Sequence, residues 1–380
     1  MASGNTLRIA NLTRSKILVR VPNWVGDAVM SLPALRALRA TLPDAAITLL
    51  ARPWVRDVYP LDELRFRVIP YDTQSSHRGL LGRLAIAAEL RSERFDLAVL
   101  FQNAFDAALV AWLGRIPVRA GYARDARRIL LTHPVAPPRH GEMPTHEAHY
   151  YLELLKRLGL IPNYDEVREI ALRPESFHAQ SRARLIDKLR QLGLDASANS
   201  TTRLSPDSRP DSRPDSQNVP LIGISPGASF GTAKRWPAER FATLARQLHQ
   251  ELGAQCVLFG SSQEASLADE VASSSMAPVI SLAGQTTLTE FMELVSGCDA
   301  YLTNDTGTMH VAAALGVPTI AIFGPTNEHE TAPLGPRVEM VVGVAHCRPC
   351  KLRHCPIDHR CMTSITPEAV LERIRGLLHQ

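Results

Sequence analysis

The chain has 380 residues, 45% of them hydrophobic, with 42 Lys and Arg against 38 Asp and Glu and a formal net charge of +4. That length suits two or three domains with sizeable cores, and so mild a basicity gives no ground for a nucleic-acid partner while suiting a phosphorylated ligand or an anionic membrane surface. No uninterrupted apolar run reaches the roughly 18 residues of a bilayer span, and the N-terminus M-A-S-G-N-T-L-R-I-A-N-L-T-R-S-K lacks the apolar core of a secretory signal, so a cytoplasmic protein with a flexible leader at 1–15 is expected.

In chain order, the β-branched run K-I-L-V-R-V at 16–21 leads through P-N-W-V-G-D into A-V-M-S-L-P-A-L-R-A-L-R, whose leucines 32, 35 and 38 share a helix face. Pro33 either kinks this helix or makes Ser31 its cap, and both options keep Asp27 at the loop edge of a sheet. Further strands are expected at 46–51, 67–70 and 97–101, with helices at 80–91 and 104–113. R-A-G-Y and I-L-L-T-H-P-V read as short strands, and Thr145 as the cap of a helix ending at Gly159. The first domain should span 16–173.

Residues 174–219 read as a helix followed by an inter-domain linker. In the linker, S-P-D-S-R-P-D-S-R-P-D-S at 205–216 has no apolar residue with which to offset its ordering entropy, so disorder is expected there. A second domain, 220–380, repeats the alternation: strand 221–225, helix 237–252, strand 255–259, helix 263–273, strand 279–282, helix 288–296, then strand, helix, strand from 300 to 323. Two doubly wound α/β domains follow from this rhythm.

The loop P-G-A-S-F-G-T-A-K-R-W-P after strand 221–225 combines glycines, small donors and a cation, which suits a diphosphate; an ordinary βα loop with solvated basic residues is the alternative. It is not a P-loop, because the G-x-x-x-x-G-K-[ST] spacing is absent. Asn304-Asp305-Thr306-Gly307, opening a helix at a strand end, forms a second anion site in which Asp305 or Thr306 can cap the helix. His310 either joins that site or packs as a satisfied helix histidine. Asp27 is either a helix cap or a general base acting on an acceptor hydroxyl.

Together N-W-V-G-D-A-V-M-S-L-P-A-L-R-A-L, P-G-A-S-F-G-T-A-K-R-W-P, N-D-T-G-T-M-H-V-A-A-A-L-G-V-P and F-G-P-T resemble the successive motifs of the ADP-heptose:lipopolysaccharide heptosyltransferases, family 9 glycosyltransferases of the GT-B fold. The tail C-R-P-C-K-L-R-H-C-P-I-D-H-R-C-M is similar to the type II enzymes in particular. The resemblance implies two Rossmann-like domains facing across a cleft, the first binding acceptor and the second the nucleotide sugar. It implies that Asp27 deprotonates a hydroxyl of the acceptor's first heptose in one inverting displacement on ADP-heptose. Ser225, Gly227, Ala228, Thr232, Lys234, Asp305, Thr306, Gly307, Thr308, His310 and Gly324 would bind the donor, with Lys234 and the helix start stabilising departing ADP.

No metal is expected in that role, since no Asp-x-Asp occurs, and no cofactor is required. The acceptor would be a lipid-anchored heptosyl-Kdo-lipid A, reached by a monomer in peripheral contact with the cytoplasmic face of the inner membrane. Arg119, Arg124, Arg127 and Arg128 either meet acceptor phosphates or form a solvated basic face. Cys347, Cys350, Cys355 and Cys361, in the Cys-rich segment 346–361, offer soft ligands for zinc but only one C-x-x-C pair, so a reduced surface loop is the competing reading. His146-Glu147-Ala148-His149 has the wrong spacing for a zincin. Another GT-B enzyme, such as a different core transferase or a sugar-nucleotide epimerase, and a non-catalytic nucleotide-sugar-binding protein are the alternatives; a single clear base favours transfer over epimerisation.

Overall fold

A computed structural model describes residue 7 and residues 12–59, 61–172, 177–192 and 219–379. The Ser/Arg/Pro/Asp insertion and most of the expected leader lie outside the described residues. The chain divides into two compact units, Met1–Arg173 with His329–Gly335, and Pro174–Glu328 with Pro336–Gln380.

In the first unit β1 (Lys16–Arg20), β2 (Ala46–Ala51), β3 (Arg67–Pro70), β4 (Leu97–Leu100), β5 (Val118–Tyr122) and β6 (His133–Val135) form one parallel sheet in the order β3-β2-β1-β4-β5-β6. Helices cover the strands, which is why β4 is apolar and buried at every position rather than alternating. The order reverses between β1 and β4, and ligands of such sheets bind at that switch, outside the carboxyl ends of the strands. Asp27 stands there, in the first turn of helix Val25–Met30. Ser31 separates this helix from Leu32–Thr41, where Pro33 occupies the first turn and needs no N–H partner. The long helix is thus broken ahead of the proline, and Asp27 is helical rather than in a turn.

Thr145 does not cap the next helix, Ala148–Arg157. The imidazole of His146 does so instead, its Nδ1 accepting from the Ala148 N–H at 3.2 Å while Nε2 donates to the Ala332 carbonyl at 2.8 Å. His149 Nε2 accepts from the Val167 N–H at 2.9 Å, so its Nδ1 donates to the His146 carbonyl at 3.0 Å. Both rings are therefore held neutral, and burial lowers both pKa values. Protonation would set an N–H against an N–H at each site. Because the folded pKa values lie below the unfolded one, this stabilisation is full above the unfolded histidine value of about 6.5 and is lost as pH falls below it. Thermal melts should show Tm dropping from pH 7 to pH 5, and less so in His149→Gln.

The second unit repeats the architecture. β7 (Leu221–Ser225), β8 (Gln255–Leu258), β9 (Val279–Ser281), β10 (Ala300–Asn304), β11 (Thr319–Phe323) and β12 (Val338–Val342) form a parallel sheet in the order β12-β11-β10-β7-β8-β9. Its switch point lies between β7 and β10. The fully buried Trp236 packs edge-on against Phe241, ring centroids 4.8 Å apart, and donates Nε1–H to the Ile365 carbonyl at 3.0 Å. Helix Phe177–Gln191 belongs to this unit, with Arg182 bonded to Asp299 at 2.8 Å and Arg184 to Glu293 at 2.8 Å.

Candidate active site

The two loops that leave the second switch point carry most of the donor residues expected from sequence; Ser225 ends β7 and Gly324 follows β11. Lys234, at the end of the short turn Thr232–Lys234 after β7, reaches Asp305, which follows β10. Nζ lies 2.6 Å from Oδ2 in a pair whose side chains are only 14% and 5% exposed. The Thr326 hydroxyl, beyond β11, donates to the same oxygen at 2.6 Å. Three strand ends thus converge on one carboxylate.

Of the two expected caps, Thr306 takes the N-cap position of helix Gly307–Ala314 in extended geometry but makes no side-chain capping bond, and Asp305 is engaged by Lys234 instead. The free N–H groups of the first turn, at the positive end of a helix dipole next to the Lys234–Asp305 pair, are an arrangement able to hold an anion. Thr308 sits in that turn, its hydroxyl 3.4 Å from that of Thr303, and His310 is buried in the second turn. Ser225 and Ala228 are buried; the Ser225 hydroxyl accepts from Tyr301 at 2.6 Å and donates to the Phe259 carbonyl at 3.1 Å, so it serves the strand end. At Gly227 a Cβ would collide with the Glu264 carboxyl, and at Gly324 with the Met362 side chain.

Asn304 opens the N-D-T-G motif without a role of its own in the sequence reading, yet it ties the site together. Its Oδ1 accepts from the Trp236 N–H at 3.0 Å, and its Nδ2 donates to the carbonyls of Pro226 at 2.7 Å and Gly227 at 3.2 Å, all buried. Asn304→Ala would strand those groups and should cost about 3 kcal/mol in denaturant unfolding.

The Cys-rich segment is the second stabiliser that motif reading missed. The Arg353 carbonyl accepts from the Ala233 N–H at 3.0 Å, His359 Nε2 meets the Ala233 carbonyl at 2.6 Å, and His354 meets the Thr232 hydroxyl at 3.0 Å. Arg348 bonds the carbonyls of Gly324 and Thr326 and pairs with Glu328 at 2.7 Å. Lys234 and Arg353 both lie over the Phe230 ring, 5.1 Å and 5.0 Å from its centre. The segment therefore braces the loop after β7, which carries Lys234, and the loop after β11, which carries Thr326. Of the two readings of its cysteines, zinc ligands or a reduced loop, the geometry offers no ready metal cage: among the described residues no group of three His, Cys, Asp or Glu side chains is arranged to hold a metal, and Cys347, Cys350, Cys355 and Cys361 are not joined in disulfides.

In the first unit the loop before Asp27 is held by Arg20, a fully buried guanidinium bonded to the carbonyls of Val21 at 2.7 Å and Leu50 at 3.1 Å and to Asn23 at 2.6 Å. Burial and the neighbouring Arg52 push its pKa down to about 10. Asp27 is half-buried near Tyr59 and Tyr151, whose phenols burial, and to a lesser degree the Asp27 charge, hold neutral. Of the four arginines, Arg127 is fully buried, donating to the carbonyls of Tyr122 and Gln102 and to Asn103, and Arg119 donates to the carbonyls of Leu130 and Ile116. Those two hold backbone; Arg124 and Arg128 are exposed.

Residues 83–360 match the sequence profile of glycosyltransferase family 9 (heptosyltransferase). The chain belongs to that family. It is 32% identical to lipopolysaccharide heptosyltransferase 2 of Escherichia coli strain K12, covering 96% of this chain and 99% of the relative. It is 30% identical to lipooligosaccharide heptosyltransferase 2 of Haemophilus ducreyi over the same shares. The solved structure of E. coli ADP-heptose LPS heptosyltransferase II superposes with a TM-score of 0.73 at 30% identity, covering 96% of this chain and 99% of that one. A family 9 glycosyltransferase from Veillonella parvula gives a TM-score of 0.79 at 22% identity, covering 99% of each chain, a likeness of fold. The two α/β units are thus the GT-B architecture of family 9.

Proposed function

We propose that the chain transfers L-glycero-D-manno-heptose from ADP-heptose to the first heptose of the lipopolysaccharide inner core, the acceptor being a lipid-anchored heptosyl-Kdo-lipid A. The observation that carries this reading is the end-to-end similarity to heptosyltransferase 2 proteins, 96% of this chain against 99% of the relative. In this reading Asp27 takes the proton of the attacking hydroxyl. The donor's diphosphate lies between Lys234 and the N–H groups at Thr306, Gly307 and Thr308, with Gly227, Thr232, His310 and Gly324 shaping the walls. As the bond from the anomeric carbon to the diphosphate breaks, charge grows on ADP, where a pre-positioned ammonium and helix start are most effective. The polypeptide supplies every group used, so no cofactor is assigned.

No helix among the described residues is long and apolar enough to cross a membrane. Work at the cytoplasmic face of the inner membrane, by a monomer, is therefore proposed as peripheral. Arg124 and Arg128 are the arginines available to acceptor phosphates. Product analysis by NMR with ADP-heptose, and with GDP- and UDP-linked sugars as controls, tests the reading: transfer from ADP-heptose alone, with inverted anomeric configuration, is expected. Retention of configuration would overturn the single displacement.

A further inference from the structure

Three segments of the first unit carry exposed apolar side chains that its core does not use. Helix Gly79–Glu93 begins with Leu80, Leu81 and Leu84, 68%, 80% and 46% exposed; helix Phe105–Leu113 begins with Phe105 at 41%; and the turn Arg127–Leu130 presents Ile129 at 85%. The three are tied together. Arg83 pairs with Asp106 at 2.5 Å, joining the two helix starts, and the buried Arg127 bonds Gln102 and Asn103, joining the turn to the start of the second helix. They follow β3, β4 and β5 of a parallel sheet, so all three stand at the carboxyl edge, the edge that carries Asp27.

Within 78–84, 105–106 and 124–130 the exposed charges are mainly cationic. Arg78, Arg124 and Arg128 stand at the rim, against Asp125; Asp106 is engaged by Arg83. Apolar tips ringed by arginines suit shallow insertion below anionic headgroups. They suit a second copy of the chain poorly, since a symmetric contact would press like charges together.

We propose that this patch seats the first unit on an anionic phospholipid bilayer, inserting Leu80, Leu81, Leu84, Phe105 and Ile129 while Arg78, Arg124 and Arg128 lie among the lipid phosphates. The placement rests on the proposed function in one respect: it brings the Asp27 edge to the surface where a lipid-anchored acceptor is found. Binding itself needs no acceptor.

Flotation of the full chain with vesicles tests it. Wild-type protein should float with acceptor-free vesicles of equal parts phosphatidylcholine and phosphatidylglycerol, and about tenfold less with phosphatidylcholine alone. The Leu81→Ser/Leu84→Ser/Ile129→Ser protein should lose about tenfold of that binding while releasing ADP at the wild-type rate with an acyl-free heptosylated acceptor. Equal flotation of variant and wild type, no flotation of wild type, or a wild-type dimer that the variant dissolves would each overturn the surface. Wild-type flotation lost in the variant, with no ADP release from either, would support the surface and sink only the proposed function.

Discussion

Asp27→Asn should lower kcat by about 10²–10⁴-fold, the range a positioned general base contributes, while ADP affinity measured by calorimetry stays within about twofold, since the carboxylate acts on the acceptor hydroxyl and not on the nucleotide. The substitution is nearly isosteric at a half-buried position in the first turn of helix Val25–Met30, so the fold should survive and the loss can be read as chemistry. Restoring the carboxylate one methylene longer, in Asp27→Glu, should recover part of the rate. If Asp27 were only a helix-start residue, asparagine would serve as well, and kcat would hold.

Lys234→Met has a different signature. The ammonium neutralises a buried carboxylate 2.6 Å away; removing it withdraws an attraction for the diphosphate and also leaves the Asp305 charge beside the site that must accept phosphate. Both changes oppose donor binding, and the loss grows as charge accumulates on the leaving ADP. kcat/KM should fall by about 10²–10³-fold, with weaker ADP binding, in contrast to Asp27→Asn. Asp305→Asn should be milder, because Lys234 keeps its charge but loses its anchor. A Lys234→Met protein that binds ADP as wild type does would exclude the ammonium from the donor site.

The alternation of strands and helices was legible because fully covered parallel strands are short continuous apolar runs and the helices between them keep an apolar face. The loops at the carboxyl edge of the second sheet were legible through their glycines and their Lys and Asp. What could not be read was which side chains meet. Lys234 and Asp305 lie on loops after different strands, and nothing local says that Asp305 pairs with a lysine rather than capping the helix it precedes.

Asn304 was visible within its motif but carried no role there, because its work is to bond backbone groups of a distant loop. The Cys-rich tail drew the eye to sulfur, whereas the parts that act are the Arg353 carbonyl and the side chains of His354, His359 and Arg348. Arg127 sits in a run of arginines that reads as surface, yet its guanidinium ties the β5 end to the segment before helix Phe105–Leu113, donating to the carbonyls of Tyr122 and Gln102 and to the Asn103 side chain. In each case a long-range contact, not composition, assigns the role.

The central claim is the transfer of one heptose onto a heptose. Purified protein incubated with ADP-heptose and a series of truncated core acceptors, with ADP release followed and products weighed by mass spectrometry, tests it most directly. Release, and a gain of one heptose, is expected with acceptors ending in a single heptose on Kdo, and neither with acceptors ending in Kdo. Heptose added to the Kdo-terminated acceptor, or no release with any heptose-bearing acceptor, would contradict it.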